Sequence, residues 1–452
     1  MLHERVRRTF RWSIPGVAIA CACVVFAACD SDSVDDAGLD GGHDADAGDA
    51  LGDPDEVMGD ADADADTDET IDGDQDGDGE VAADPEGFQY STRLDQARSN
   101  HTATLLLDGR VLVVGGEDIV TRDPYDSVEI FDPETEDWSP GPSLPEPRSN
   151  HIAVRLDDGR VLVAGGGRSA PIGVPSGIDV LSSAVIFDPE TMSWSATGDL
   201  NEGRSHFAAA LLASGKVLVS GGGAGTHEHG STCTGVEDCG PLADTLGSAE
   251  VYDRSLGTFT VVGSMAEPRD MHTLTALLDG RVIAVAGAND YQESFFSTEI
   301  FDEATEEWTA GPNLASLDRF FHSAALLPSG LVLVGGGKKS NVAILDSVVT
   351  IDAVEETSEL TDSLSQAHTA GAFVVLQSGR ILSVGGFHCP SPCESIADAE
   401  IYDEETAQWR AIDPLGAARS GHTATVLLDG RVLIVGGFGP LGDISRCEIS
   451  EP

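Results

Sequence analysis

The chain has 452 residues, with 78 acidic side chains against 25 basic ones and a net charge of −53. An excess of acidic charge repels phosphate backbones and argues against a nucleic-acid-binding protein. The charge is unevenly spread, since 24 of the acidic residues fall between Asp30 and Glu86, where there is no Lys or Arg.

The N-terminus carries Arg5, Arg7, Arg8 and Arg11, followed by an apolar stretch from Trp12 to Phe26. That stretch is too short to span a bilayer permanently and has the form of a secretory signal. It ends in Phe-Ala-Ala-Cys at 26 to 29, which resembles a bacterial lipobox. The resemblance implies cleavage before Cys29 and lipidation of its thiol. Several acyl chains give stable anchoring, because each buried methylene adds about 0.8 kcal/mol. The expected location is therefore the bacterial cell envelope, with the membrane engaged by the lipid anchor alone.

From Asp30 to Glu86 the chain alternates Asp, Gly and Ala and has too few large apolar side chains to fold alone. A flexible tether of this length reaches roughly 40 Å root-mean-square. Within it, Asp74, Asp76, Asp78 and Gly79 imitate the start of a calcium loop, but the twelfth position is Pro85 and not the bidentate Glu such a site needs. Diffuse counterion binding is the reading retained.

Beyond the tether the sequence repeats. HTATLLLDGRVLVVGG from His101 returns as HTATVLLDGRVLIVGG from His422, and related segments start at His151, His206, His272, His322 and His368. Seven units of about fifty residues mark a repeat architecture. In each, two apolar runs flank a tight turn such as Asp108-Gly109, a strong hairpin signal, and the second run ends in a glycine pair. A third strand follows, of the kind SVEIFD at 127 to 132. A fourth begins seven residues past its aromatic, as Phe131 to Trp138, Phe187 to Trp194, Tyr252 to Phe259, Phe301 to Trp308 and Tyr402 to Trp409. Four antiparallel strands per unit make one propeller blade.

In these features residues 88 to 450 resemble the Kelch family, whose blades carry a glycine pair after the second strand, an aromatic in the third and a Trp in the fourth. The glycine pairs are read at 115–116, 165–166, 221–222, 335–336, 385–386 and 436–437, with Ala286-Gly287 in the fourth unit. In the fifth, Ile351 and Ser358 replace the aromatic and the Trp. The seventh unit has only three strands, while Phe88 precedes His101 by the interval that separates Trp138 from His151. Phe88 to Leu94 is thus the expected fourth strand, closing a ring that otherwise leaves a free edge. The organisation is a signal segment over 1–28, a tether over 29–86 and an all-β, seven-bladed, monomeric propeller over 87–450.

Secretion favours disulfides, and two local bridges are expected, Cys233 with Cys239 and Cys389 with Cys393. Cys447 aligns with Ala184, Ala249 and Ala399 and is read as a buried free thiol. His227, His229 and His388 adjoin the cysteine pairs, but their spacing follows no common zinc pattern and no metal is assigned. A His opens every inner strand, and six units place an Arg just before it: Arg98, Arg148, Arg204, Arg269, Arg319 and Arg419. Repetition in every blade points to architecture, with Glu129 and Asp132 as partner types. The functional alternative is a ring of guanidinium groups at the mouth, suited to carboxylate ligands.

Fold alone does not give function. Loops of variable length at 117 to 126, 167 to 182, 224 to 246, 288 to 297 and 387 to 397 cluster on one face, as contact surfaces of repeat proteins do. The favoured reading is a binding module for an envelope or extracellular protein or a glycan, with Tyr125 and Tyr291 as candidate contacts. The alternative is an enzyme of galactose-oxidase-like or sialic acid mutarotase type. The former resemblance implies copper held by two Tyr and two His, one Tyr crosslinked to Cys. With only Tyr125 and Tyr291 on loops and no free loop cysteine, no cofactor is assigned and no catalytic set emerges.

Overall fold

The computed structural model describes residues 82–168, 179–224, 244–289, 293–315, 317–340, 343–390, 393–440 and 442–451. The signal segment, Cys29, the acidic segment to residue 81, His227, His229, Cys233, Cys239 and Tyr291 lie outside the described residues.

Seven four-stranded antiparallel sheets form the propeller. Blade 1 is built from an inner strand Thr102–Leu105, a second Val111–Val114, a third Val128–Asp132 and an outer strand Asp137–Pro140. Blades 2 to 6 repeat this order with inner strands starting at Ile152, Ala208, Thr273, Ser323 and Ala372. Blade 7 takes its inner three strands, Thr423–Val426, Val432–Val435 and Arg446–Ser450, from the end of the chain. Its outer strand is Phe88–Arg93, paired antiparallel with Phe88 opposite Ser450 and Tyr90 opposite Glu448. The ring is closed by that pairing, as the spacing predicts.

Burial explains the strand sequences. All four residues of Val111–Val114 are buried, because a second strand has a neighbouring blade on both faces and so reads as a continuous apolar run. Outer strands have one protected position, as in Asp137–Pro140, where Trp138 packs on Phe131 with ring centroids 5.1 Å apart. The same aromatic pair holds blades 2, 3, 4 and 6. The core lies between blades. Val111, Val113 and Phe131 of blade 1 pack against Leu433, Val435, Cys447 and Ile449 of blade 7. Cys447 is a free, fully buried thiol, and burial pushes its pKa up to about 12.

The glycine pairs exist because the backbone comes too close for side chains. At Gly116, with φ of 91°, a Cβ would stand 2.6 Å from the Ser99 carbonyl oxygen and 2.8 Å from the His101 Cβ. Ala286 of blade 4 adopts the same left-handed conformation at φ 53° without the relief of a missing Cβ. In blade 5 the register corrects the sequence reading: Gly335 ends the second strand, and the left-handed pair is Gly336 with Gly337.

Candidate binding face

Each inner strand is led in by a residue that bridges to the one after the glycine pair, as Ser99 does with Glu117 and Ser420 with Phe438. All seven blades do this, so the lead-in segments and the variable loops share one face of the ring. The A–B turns, such as that at Asp108-Gly109, lie on the other.

The six arginines are not displayed on that face. Arg98 is fully buried, and its Nη1 donates to the carbonyl oxygens of Gly115 and Ser127 at 2.8 and 3.1 Å. Its Nη2 donates to Glu129 at 2.7 Å. Glu129 in turn accepts the backbone N–H of Asp95 at 2.8 Å, which ties the lead-in segment to the third strand. The same arrangement joins Arg204 to Glu250, Arg269 to Glu299 and Arg419 to Glu448. Asp132 takes no part: its carboxylate accepts the N–H of Glu134 in the next turn. These guanidinium groups are consumed by the blades, so the architectural pairing with Glu129-type residues is what forms, and the alternative ring of cations at the mouth, with the six arginines as ligand contacts, does not.

Three blades break the pairing. Val185 in blade 2 and Val349 in blade 5 stand where the others have Glu, and burial without that partner lowers Arg148 and Arg319 to about 10. In blade 2 one of the groups the carboxylate would serve is also gone, because Pro145 has no N–H where blade 1 has Asp95. Blade 6 has the reverse. His368 bridges the sequence at the arginine position, its Nδ1 lying 3.1 Å from the Gln366 carbonyl, while Glu400 is present and pushed up by burial. His368 thus does not open an inner strand, and Gly371 stands in that place. In blade 3 the slip is one residue: His206 precedes the opening position, which Phe207 fills.

The five histidines that do open inner strands tie neighbouring blades together. His151 Nε2 lies 2.9 Å from the Thr102 hydroxyl of blade 1, and His322 Nε2 lies 3.0 Å from Thr273 of blade 4. His101 reaches Thr423 and His272 reaches Ser220 in the same way. His422 faces blade 6, where Ala372 offers no hydroxyl, and its ring nitrogens are buried without a partner. Burial holds His151, His322 and His422 at about 3, so they are neutral near pH 7.

Above these histidines runs a closed ring of backbone hydrogen bonds. Asn100 N–H donates to Gly421, Asn150 to Asn100, His206 to Asn150 and Met271 to His206, at 3.1 to 3.4 Å. Phe321 donates to Met271, Ala370 to Phe321 and Gly421 to Ala370, at 3.2 to 3.3 Å, which completes the circle. All seven residues have φ between 52° and 61°, and all are half-buried. They ring the axis on the loop-rich face. Sequence reasoning missed this ring, because six residue types fill its seven positions; its signal was position, two residues after each arginine or, in blade 6, after His368.

Beside this ring, Glu117 is buried and salt-bridged to Arg122, and it accepts hydrogen bonds from Asn100 Nδ2 at 2.9 Å and Ser149 Oγ at 2.8 Å. Phe387 and Phe438 lie 6.3 Å apart across blades 6 and 7, and Lys338 stands over Phe320 at 5.8 Å. Asp443, in the blade 7 loop, accepts the Ile119 N–H at 2.6 Å, and burial raises its pKa to about 6. Tyr125 packs its ring 5.7 Å from the Arg98 guanidinium and belongs to the loop of blade 1. Cys389 and Cys393 are joined by a disulfide at the tip of the long blade 6 hairpin, as expected.

Among the described residues no three His, Cys, Asp or Glu side chains gather as ligands. Tyr125 is held at Arg98, and no copper step is derived.

A family profile described as the Kelch motif matches residues 97–145. Kelch-like protein 15 of Homo sapiens is 23% identical over 224 residues, covering 45% of this chain and 36% of the relative. Alpha-scruin of Limulus polyphemus is 26% identical over 287 residues, covering 61% and 29%. The chain thus spans about a third of the length of these curated relatives. Among solved structures, a fungal alcohol oxidase of the AA5 family in complex with copper aligns with a TM-score of 0.62 at 15% identity, covering 82% of this chain and 77% of that one. YjhT aligns with a TM-score of 0.55 at 14% identity, covering 71% and 99%. At such identities the structures share the fold alone. The motif match at blade 1 and the Kelch-like relatives support a Kelch-repeat family for this chain.

Proposed function

We propose that the protein is an envelope-tethered binding module that engages an extracellular or envelope protein through the loop-rich face. The carrying observation is the asymmetry between the two faces. A–B turns are built alike around the ring, with Gly109, Gly159, Gly215, Gly280, Gly330, Gly379 and Gly430 each at φ between 80° and 94°. The opposite loops differ in length and sequence from blade to blade, with Val120 and Phe296 exposed among them; exposed apolar groups are not confined to that side, since Leu107, Leu278 and Leu428 are exposed at the turns. Kelch propellers act as protein-binding modules, and one-sided variation is what such a role produces.

The path of the N-terminal segment supports the same reading. Residues 82–87 run along the A–B-turn face, where Asp84 pairs with Arg380 at 2.7 Å and Glu86 accepts the Asp413 N–H at 2.9 Å. The described N-terminal residues thus leave the loop-rich face uncovered.

The test is affinity capture from envelope fractions with the full chain, compared with Val120→Asp and Phe296→Asp on one face and Leu278→Asp on the other. Loss of the captured protein with the first two alone is expected. Equal capture by all three variants overturns the assignment of the face, and retention of a Cys29→Ser variant in membranes overturns the anchor.

A further inference from the structure

Each blade ends in an outer strand with no further strand beyond it, so seven sheet edges face outward round the rim. The register fixes which backbone groups point out. In blade 1 the Gly141 N–H donates inward to the Val128 carbonyl at 2.8 Å, so the preceding residue, Pro140 opposite Glu129, has its backbone groups turned to the rim. Val261, opposite Glu250, holds the same position in blade 3. Open edges recruit other chains unless charge or proline blunts them. Pro140 blunts blade 1, and Glu307, Glu359, Arg410 and Arg93 place a charge on the outer strands of blades 4, 5, 6 and 7. Blade 2 has no charge there, but it presents only Ala196 at the outward position.

Blade 3 departs from this pattern. Its outer strand, Thr258–Val262, reads Thr-Phe-Thr-Val-Val, with neither charge nor proline. Val261 is 56% exposed, and Thr258 and Thr260 beside it are exposed as well, all residue types that favour strands. The Phe259 carbonyl already accepts Asn201 Nδ2 at 3.2 Å, which leaves Val261 as the open pairing point. At the Gly263 end the next blade sets two acidic residues against the edge. Gly263 N–H donates to the Glu306 carbonyl at 2.9 Å, and a Cβ on Gly263 would stand 3.0 Å from Glu307 Oε2. Both glutamates are exposed, and among the described residues neither has an ion pair.

We propose that the blade 3 edge takes up an extended segment of a partner protein as a fifth, antiparallel strand, paired to the backbone of Val261 and bringing basic side chains to Glu306 and Glu307. Main-chain pairing supplies the contact, and alternate side chains supply the selection. The segment is β-branched in alternation, because its side chains lie beside Val261 on one face of the sheet. The glutamates set its charge and the place of that charge: in an antiparallel strand the incoming N-terminal end lies at Gly263. They also oppose a second copy of this acidic chain. The rim site lies apart from the loop-rich face, so its occupation is independent of the partner proposed there.

The experiment is fluorescence anisotropy of the full chain with a labelled peptide of alternating threonine and valine that begins with two lysines. Beside it are the same peptide beginning with two glutamates and a lysine version N-methylated at its central amides. The lysine peptide binds and is weakened by added salt. The other two bind about tenfold more weakly, the order of one lost hydrogen bond or ion pair. Val261→Pro, a residue that blade 1 accommodates as Pro140, also lowers binding about tenfold at unchanged melting temperature. Should that variant be destabilised, Val261→Lys keeps the N–H but repels the lysine peptide, with the same expected loss. Glu307→Gln narrows the gap between the lysine and glutamate peptides. Silence of the lysine peptide, equal binding of the glutamate or methylated peptide, or indifference to both Val261 variants overturns the proposal. A concentration-dependent dimer of the parent chain that Val261→Pro abolishes overturns it too, since a second copy then fills the edge.

Discussion

The Arg98 guanidinium and the Glu129 carboxylate meet at 2.7 Å with both side chains almost wholly removed from water. Each charge offsets the cost of burying the other. Removing the carboxylate in Glu129→Gln leaves the cation with neutral partners, the Gly115 and Ser127 carbonyls and the Ser127 hydroxyl, and also weakens the anchoring of the Asp95 N–H. Breaking a buried pair from one side costs about 3–5 kcal/mol. The expected outcome is a loss of that size in denaturant unfolding at pH 7, with the slope of the transition unchanged.

Blade 6 offers the converse, a gain by repair. Glu400 is pushed up by burial and has the Ser365 N–H and hydroxyl as its partners, since His368 occupies the arginine position. In His368→Arg the new guanidinium brings the Glu400 carboxyl back down. A group whose folded pKa is raised makes the fold less stable as pH rises from the unfolded value through the folded one. Relieving that shift removes the penalty, so the variant gains stability relative to the parent above about pH 4 and gains little below it. Thermal melts of both proteins from acid to neutral pH check this; equal differences at all pH values contradict it.

The inter-blade histidines set the acid limit of the propeller. His151, His322 and His422 are held at about 3 by burial, against an unfolded value near 6.5. Between those values the unfolded chain binds protons that the folded chain does not, so stability rises with pH across this window and is lost as pH falls below about 6.5. Asp443, raised to about 6, acts with the opposite sign between its unfolded value and 6, but it is a single group. His151→Phe removes one titrating site, and blade 3 already carries Phe207 at the equivalent position. The variant loses the bond to Thr102 and is less stable at pH 7, yet its melting temperature falls less steeply from pH 7 to pH 4.

The propeller, its closure and the aromatic pairs were legible because they are periodic: a spacing repeated in several units is fixed by a single blade geometry. The register errors at Gly335, His206 and His368 arose where residue identity and structural position part company. A histidine one residue early, or three residues early at an arginine site, reads like its neighbours until the bridge of the lead-in residue fixes the frame. The arginines and their Glu129-type partner were legible from repetition, but that Asp132 takes no part was not, since the ion pairs join residues about thirty positions apart. The axial ring of left-handed residues was hidden because only its backbone repeats. Its seven residues share a backbone conformation and no side-chain type, so no repeat signal marks them.

Closure through Phe88–Arg93 makes the N-terminal segment part of the last blade and not an appendage. Leu94, just beyond that strand, is buried in the core shared by blades 7 and 1, and its N–H donates to the Ser445 carbonyl at 2.9 Å. Tyr90 donates from its hydroxyl to the Gly416 carbonyl and packs its ring 4.8 Å from Arg446. Deleting residues through 93 therefore uncovers the whole edge of Arg446–Ser450, whose Cys447 to Ser450 side chains are buried, and an uncovered apolar edge pairs with other chains. The truncated protein is expected to elute as aggregates on size exclusion and to expose Cys447 to thiol reagents. A truncation that ends at residue 81 keeps the strand together with the Asp84 and Glu86 contacts, and is expected to remain monomeric with its thiol protected. Monomeric elution and a protected thiol in the shorter protein would show that the blade closes without its outer strand.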